Sequence, residues 1–131
     1  GGSRHPASRE TVDARLHFMK MTGREVFKHA VRCMTDASLK ALEKSGVRLE
    51  DISCIIPHQA NMRIIQAIAE RMGVSLDKFF LNLDKVGNIS SASVPLALDE
   101  AVRCGRIKKG DKILFTVFGG GFTWGASVIE W

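Results

Sequence analysis

His58, Asn88 and the triplet Gly119-Gly120-Gly121 are the residues of this chain whose types and settings could do chemistry together. His58 follows an apolar run closed by Pro57, Asn88 follows a glycine just before a serine-rich helix start, and the triplet interrupts two apolar runs. An imidazole can donate from one ring nitrogen while the other is held in place. A carboxamide is an uncharged donor. Two neutral donors converging on a carbonyl oxygen stabilise an enolate without first attracting a fixed anion, and one such donor is worth about 3–4 kcal/mol. The glycines can present bare backbone N–H groups to a second oxyanion, because no side chain blocks approach. Singly, each feature also fits a structural role: a packed histidine, a turn amide, a loop before a final strand. The catalytic reading requires all three to meet.

No nucleophile accompanies them. Cys33 falls inside a helical pattern and Cys54 inside an apolar strand pattern. Cys104 falls at a helix C-terminus, where the dipole disfavours a thiolate. The serines near Asn88 are explained as helix caps. The glycine triplet lacks the Lys and Ser/Thr of a P-loop, which argues against nucleotide binding. Three cysteines without C-x-x-C spacing point to a reducing compartment and away from a disulfide framework or a zinc site. The net charge of +5 suits acidic partners. Lys and Arg are scattered rather than blocked, so nothing singles out nucleic acid. No apolar run reaches the roughly 20 residues of a membrane span.

The elements that must position these groups follow from periodicity. With 131 residues, 45% hydrophobic and 25% charged, the chain has the composition of one ordinary globular domain. Residues 1–21 read as a loop or arm, with a short helix or extended stretch over Thr11–Met21 and with His5 and His17 as plain loop residues. Thr22 and Glu25 fit a capping box. Apolar residues from Val26 to Leu42 recur at helical spacing up to Gly46, with His29 and Cys33 at the edge of the stripe. Ile52–Ile56 is continuously apolar, as in a strand buried on both faces of a parallel sheet. A helix is expected from about Ala60 to Met72, ended by Gly73. Phe79–Leu83 reads as a second strand. Ser91 or Ser93 caps a further helix with Pro95 in its first turn, ending at Gly105. A turn at Lys108–Asp111 leads to a strand over Ile113–Phe118, and Trp124–Trp131 alternates as a last strand. The connection between these two is too short for a parallel crossover, so they pair antiparallel. The expected fold is layered α/β with a mixed sheet. In open sheets of this kind, ligands bind at the carboxyl ends of the strands. Such a sheet normally begins with a strand, and none precedes the first helix. The chain therefore reads as a piece of a larger protein.

Three long segments carry a family resemblance: Pro57-His58-Gln59-Ala60-Asn61, Gly87-Asn88-Ile89-Ser90-Ser91-Ala92-Ser93-Val94-Pro95 and Phe118-Gly119-Gly120-Gly121-Phe122-Thr123-Trp124-Gly125. They resemble the signatures of bacterial β-ketoacyl-(acyl carrier protein) synthase III, and the likeness runs from about Thr22 to Trp131, taken as one domain. It implies the C-terminal half of a thiolase-like fold and a homodimeric, cytoplasmic acyltransferase that initiates type II fatty acid synthesis. The nucleophilic Cys of the family's triad belongs to the first half. By resemblance, His58 and Asn88 are the remaining triad members and hold the thioester carbonyl of malonyl-(acyl carrier protein) as it decarboxylates. The N–H of Gly120 helps form an oxyanion hole, Phe118 shapes the malonyl pocket, and Asn61 supports the site near the substrate arm. Arg63 attracts the acidic carrier protein. The resemblance further implies coenzyme A thioesters as substrates, no metal, no bound redox cofactor, and neither nucleic acid nor membrane as partner. Family members often carry two basic residues where this chain has Glu70-Arg71, which alters the carrier-docking patch.

Two other readings remain at this point. One is a condensing enzyme of secondary metabolism acting on a different starter. The other is a non-catalytic carrier-binding module, for which the missing nucleophile is natural.

Overall fold

A computed structural model describes residues 2–131. The apolar run before His58 forms β1 (Cys54–Pro57), with all four residues buried. Lys112–Gly119 forms β2 and Thr123–Glu130 forms β3. The sheet order is β1-β2-β3. β1 and β2 run parallel, with Cys54 opposite Ile113 and Pro57 opposite Thr116. β3 returns antiparallel, with Gly119 opposite Thr123 and Lys112 opposite Glu130. The mixed sheet and the antiparallel last pair are those expected from connection lengths.

Side chains alternate across this sheet, and so do its two cores. Ile55 and Leu114 face one way, onto Ala30, Met34 and Leu42 of α2 (Gly23–Ser45) and Ile65 and Ile68 of α3 (Met62–Met72). Cys54, Ile56 and Ile113 face the other way, onto Ala97 and Ala101 of α5 (Ser93–Arg103). Helices on both faces explain why β1 is apolar throughout rather than alternating. A buried hydroxyl ties the sheet to α2: Thr116 donates to the Met34 carbonyl at 3.2 Å, which also accepts from Ser38 one turn on within α2 at 2.7 Å. Gly46 and Gly73, both left-handed, stop α2 and α3 as expected.

Four local expectations are corrected. Thr22 is the N-cap residue of α2, but its side chain makes no capping bond. Glu25 pairs instead with Lys28 at 3.2 Å, so there is no capping box. Neither Ser91 nor Ser93 caps α5. The preceding residue, Ala92, already has helical angles (φ −73°, ψ −13°), because a 3-10 turn over Ser90–Ala92 feeds straight into the helix. A side-chain cap needs an extended residue at that point. Phe79–Leu83 is not a strand. Phe79 makes a single parallel bridge to Ile55, and a one-turn helix, α4 (Leu83–Val86), follows. Finally, the amino-terminal segment coils earlier than expected, as α1 (Arg9–Asp13), closed by a reciprocal Ser8–Thr11 capping box.

Lys78 fastens the approach to β1. Its ammonium donates to the carbonyls of Leu49, Glu50 and Ile52 at 3.3, 2.9 and 3.0 Å. Charged donors to carbonyls contribute more than neutral ones, typically about 1.5–3 kcal/mol. Lys78→Met, which keeps the stem and removes all three bonds, is expected to lower stability by about 2 kcal/mol in urea unfolding of the full-length protein.

Candidate active site

Because β1 and β2 are parallel, they end at one edge, and the site forms there. The His58 backbone N–H donates to the Thr116 carbonyl at 2.8 Å, which pins the residue after β1 beside the last turn of β2. The His58 ring opens on a cavity of about 450 Å³ whose lining includes Ser90, Ser91, Val94, Phe118, Thr123 and Trp124. No charged side chain lines it. The half-buried imidazole is pushed below its ordinary pKa of 6.5 by desolvation. It is therefore neutral at pH 7, with one ring N–H to donate.

Asn88 lies in the turn between α4 and the Ser90–Ala92 coil, and it is exposed. Its Oδ1 accepts from the Ser90 N–H at 3.1 Å. That bond occupies the acceptor end of the amide and leaves the Nδ2 donors free. Asn88 does not itself line the cavity; Ser90 and Ser91, two and three residues on, do. Phe118 is part of the lining, and its ring sits 5.1 Å from Phe122, which in turn lies 5.5 Å from the His29 ring. Of the triplet, Gly119 lines the cavity, while Gly120 is exposed on the hairpin loop and its carbonyl accepts from the Thr123 hydroxyl at 3.3 Å. A Cβ on Gly119 would come within 3.1 Å of that hydroxyl, so a larger residue here requires the Thr123 side chain to shift by a few tenths of an ångström. Asn61 is the N-cap of α3, its Oδ1 accepting from the Arg63 N–H at 2.8 Å. Arg63 is exposed and forms no ion pair among the described residues, whereas Arg71 lies 3.8 Å from Asp36 of α2.

The structure thus brings His58, Phe118 and the start of the glycine triplet to one cavity, places Asn88 two residues before the lining Ser90 and hydrogen-bonded to it, and leaves Asn61 and Arg63 exposed at the start of α3. Ser90, Ser91, Thr123 and Trp124 are the lining residues that spacing alone does not pick out. Ser90 carries a faint signal, since a serine two residues after an asparagine supplies the N–H of an Asx turn. Cys54 is confirmed as inert: it is fully buried, and desolvation pushes its thiol up. The described residues contain no group of three or more His, Cys, Asp or Glu able to hold a metal, and no helix long and apolar enough to cross a membrane.

The neutral imidazole sets a pH dependence. In the unfolded chain His58 titrates near 6.5; in the folded chain it titrates lower. Between those values the unfolded state binds more protons, so this residue's contribution to stability is complete above about pH 6.5 and is lost as the pH falls through the folded value. Any reaction that uses neutral His58 should be flat from about pH 6.5 upward and decline only below it. A pH–rate profile of the full-length protein checks this, and an acid limb centred above 6.5 contradicts it.

Helices on both faces of the sheet, a parallel pair followed by an antiparallel strand, and an uncharged donor site at the carboxyl edge fit one half of a thiolase-like fold. Residues 42–131 match the family described as 3-oxoacyl-[acyl-carrier-protein (ACP)] synthase III C terminal, and the chain belongs to that family. It is 56% identical to beta-ketoacyl-[acyl-carrier-protein] synthase III of Clostridioides difficile (strain 630), over all of this chain and 40% of that protein. The chain therefore spans about two fifths of the length of such relatives. Among solved structures, 3-oxoacyl-[acyl-carrier-protein] synthase III from Aquifex aeolicus VF5 is 49% identical with a TM-score of 0.86, covering 88% of this chain and 38% of that one. The priming beta-ketosynthase from the R1128 polyketide biosynthetic pathway is 34% identical with a TM-score of 0.81, covering 91% of this chain and 38% of that one.

Proposed function

We propose that this chain is the donor half of a β-ketoacyl-(acyl carrier protein) synthase III. In this reading the whole protein condenses an acyl-coenzyme A starter, acetyl-coenzyme A first among them, with malonyl-(acyl carrier protein). The observation that carries the reading is the neutral, half-buried His58 opening on a cavity free of charged side chains, with the amide of Asn88 held by the N–H of the lining residue Ser90. Such a site suits a thioester oxygen that becomes negative only during reaction.

The chemistry follows. His58 and Asn88 donate to the thioester carbonyl of the malonyl group. The bond from the α-carbon to the carboxylate breaks, carbon dioxide leaves, and the electron pair stays as an enolate under those two donors. The α-carbon attacks the acyl carbon carried on a cysteine of the first half; the new carbon–carbon bond forms and the thiolate departs. The Gly120 N–H stabilises the oxyanion of that second step, and Phe118 bounds the malonyl pocket. Asn61 and Arg63, at the start of α3, meet the substrate arm and the acidic carrier. Arg71, already beside Asp36, contributes less to that docking. The reaction calls for no metal or redox cofactor. A homodimer in the cytoplasm, with no nucleic acid or membrane partner, completes the reading.

The full-length protein supplied with acetyl-coenzyme A and malonyl-(acyl carrier protein) is expected to form the acetoacetyl carrier and release one carbon dioxide per product, read by mass spectrometry. Failure to form any ketoacyl carrier with short-chain starters rejects the proposal. The similarity to a polyketide priming synthase supports a second reading, with a starter other than acetyl. Measuring which acyl-coenzyme A loads the cysteine separates the two.

A further inference from the structure

We infer that Gln59 is a positioning residue that fixes the turn carrying His58 against the turn carrying Asn88. The inference rests on the condensing reading above. Gln59 directly follows His58 and its side chain is fully buried. Its carboxamide uses both ends on one stretch of backbone. Nε2 donates to the Phe80 carbonyl at 2.9 Å, and Oε1 accepts from the N–H groups of Asn82 and Leu83, each at 2.9 Å. Among the described residues, no other side-chain hydrogen bond joins residues 57–60 to residues 80–88.

Both ends of this bridge lead rigidly to a reacting group. On one side, His58 is pinned by its N–H to Thr116 at 2.8 Å, so the ring and the Gln59 carboxamide leave adjacent, fixed backbone atoms. On the other side, Leu83 opens α4, a single closed turn. Lys85 and Val86 donate to the Asn82 carbonyl at 3.0 and 3.1 Å, and Gly87 donates to the Leu83 carbonyl at 2.9 Å. Asn88 is the next residue. Asn82 is also tied to α5, its Nδ2 donating to Glu100 at 3.2 Å, and the residues that lead into α5 line the cavity. A shift of the 80–83 stretch relative to His58 therefore displaces Asn88 without touching it. Two donors aimed at one oxygen tolerate little such displacement: about 1 Å of misplacement can cost about 10²-fold in rate.

The test uses the full-length protein and separates two half-reactions: loading of the cysteine by acetyl-coenzyme A, and decarboxylation of malonyl-(acyl carrier protein). Gln59→Leu removes all three bonds and is expected to lower kcat for decarboxylation about 10²-fold, with KM and cysteine loading within about twofold of wild type. Gln59→Glu keeps the size and both accepted bonds but sets a carboxylate against the Phe80 carbonyl, and it is expected to give about a tenfold loss. Should Gln59→Leu fail to fold, Gln59→Glu decides. Decarboxylation unchanged in the folded variants overturns the inference, and so does a fall of both half-reactions in step, which marks a purely structural residue. If wild type itself does not decarboxylate the malonyl carrier, the condensing reading fails and this inference with it. Active wild type with unaffected Gln59 variants rejects the inference alone.

Discussion

Replacing His58 by alanine in the full-length protein is expected to lower malonyl decarboxylation by about 10²–10³-fold, while cysteine acetylation stays within a few-fold of wild type. The magnitude is that of losing one preorganised donor, and the split comes from where the donor points. His58 opens on the cavity beneath Phe118 and Gly119, where the malonyl thioester is proposed to sit. In the proposed reading the nucleophilic cysteine belongs to the other half of the protein, so its loading does not draw on the donor that faces the malonyl carbonyl. KM for the malonyl carrier should move little, because the hydrogen bond to a neutral ground-state carbonyl is weak and strengthens as the oxygen becomes negative. Quench-flow measurement of acetyl-enzyme formation, beside carbon dioxide release, reads the two steps separately. Equal loss of both assigns His58 to activating the cysteine and contradicts its role as a donor to the malonyl carbonyl.

The sheet and its helices are legible in the sequence because burial on both faces leaves a mark on composition. β1 is apolar at every position, α2 and α3 each carry one stripe, and the last two strands have too few residues between them to cross over. His58 is legible for the same reason: it is the first polar side chain after a buried strand. The failures share a cause as well. Where a side chain rather than a neighbouring strand takes the backbone bonds, periodicity carries no trace of it. Phe79–Leu83 has strand composition, yet after the Phe80 N–H, which donates to the Ile55 carbonyl at 2.9 Å, the Phe80 carbonyl and the N–H groups of Asn82 and Leu83 go to the Gln59 carboxamide. The chain then coils into α4 instead of extending. Thr22 and Glu25 have the right spacing for a box, but a carboxylate on the helix surface can pair equally well with Lys28. Ser90 has the residue type of a helix cap. It instead adopts φ +57°, supplies the N–H that orients Asn88 and lines the cavity. A left-handed serine is unusual outside functional turns, and only coordinates reveal it.

Asn88 allows the sign of the charge at the rim to be tested. Asn88→Ala removes a donor and is expected to reduce decarboxylation by about 10²-fold or more. Asn88→Asp is expected to be worse, by roughly a further tenfold at pH 7. The carboxylate is close in size and keeps the oxygen that accepts from Ser90 at 3.1 Å, so the turn should persist. What changes is the other end of the group, where two N–H donors give way to an anionic oxygen. A negative charge facing the thioester carbonyl opposes the enolate and also repels the malonyl carboxylate before it leaves. Both terms weaken as water enters and strengthen in a cavity with no charged lining of its own. The repulsion acts on the ground state as well, so Asn88→Asp should raise KM for the malonyl carrier where Asn88→Ala mainly lowers kcat. Below the aspartate's pKa the acid is neutral and can donate, so the Asp/Ala activity ratio should climb toward and past unity as the pH falls. His58 also protonates below its ordinary value as the pH falls, which makes the ratio rather than the absolute rate the quantity to follow. An Asp variant that matches Ala at every pH would mean that the Asn88 side chain does not face the reacting oxygen.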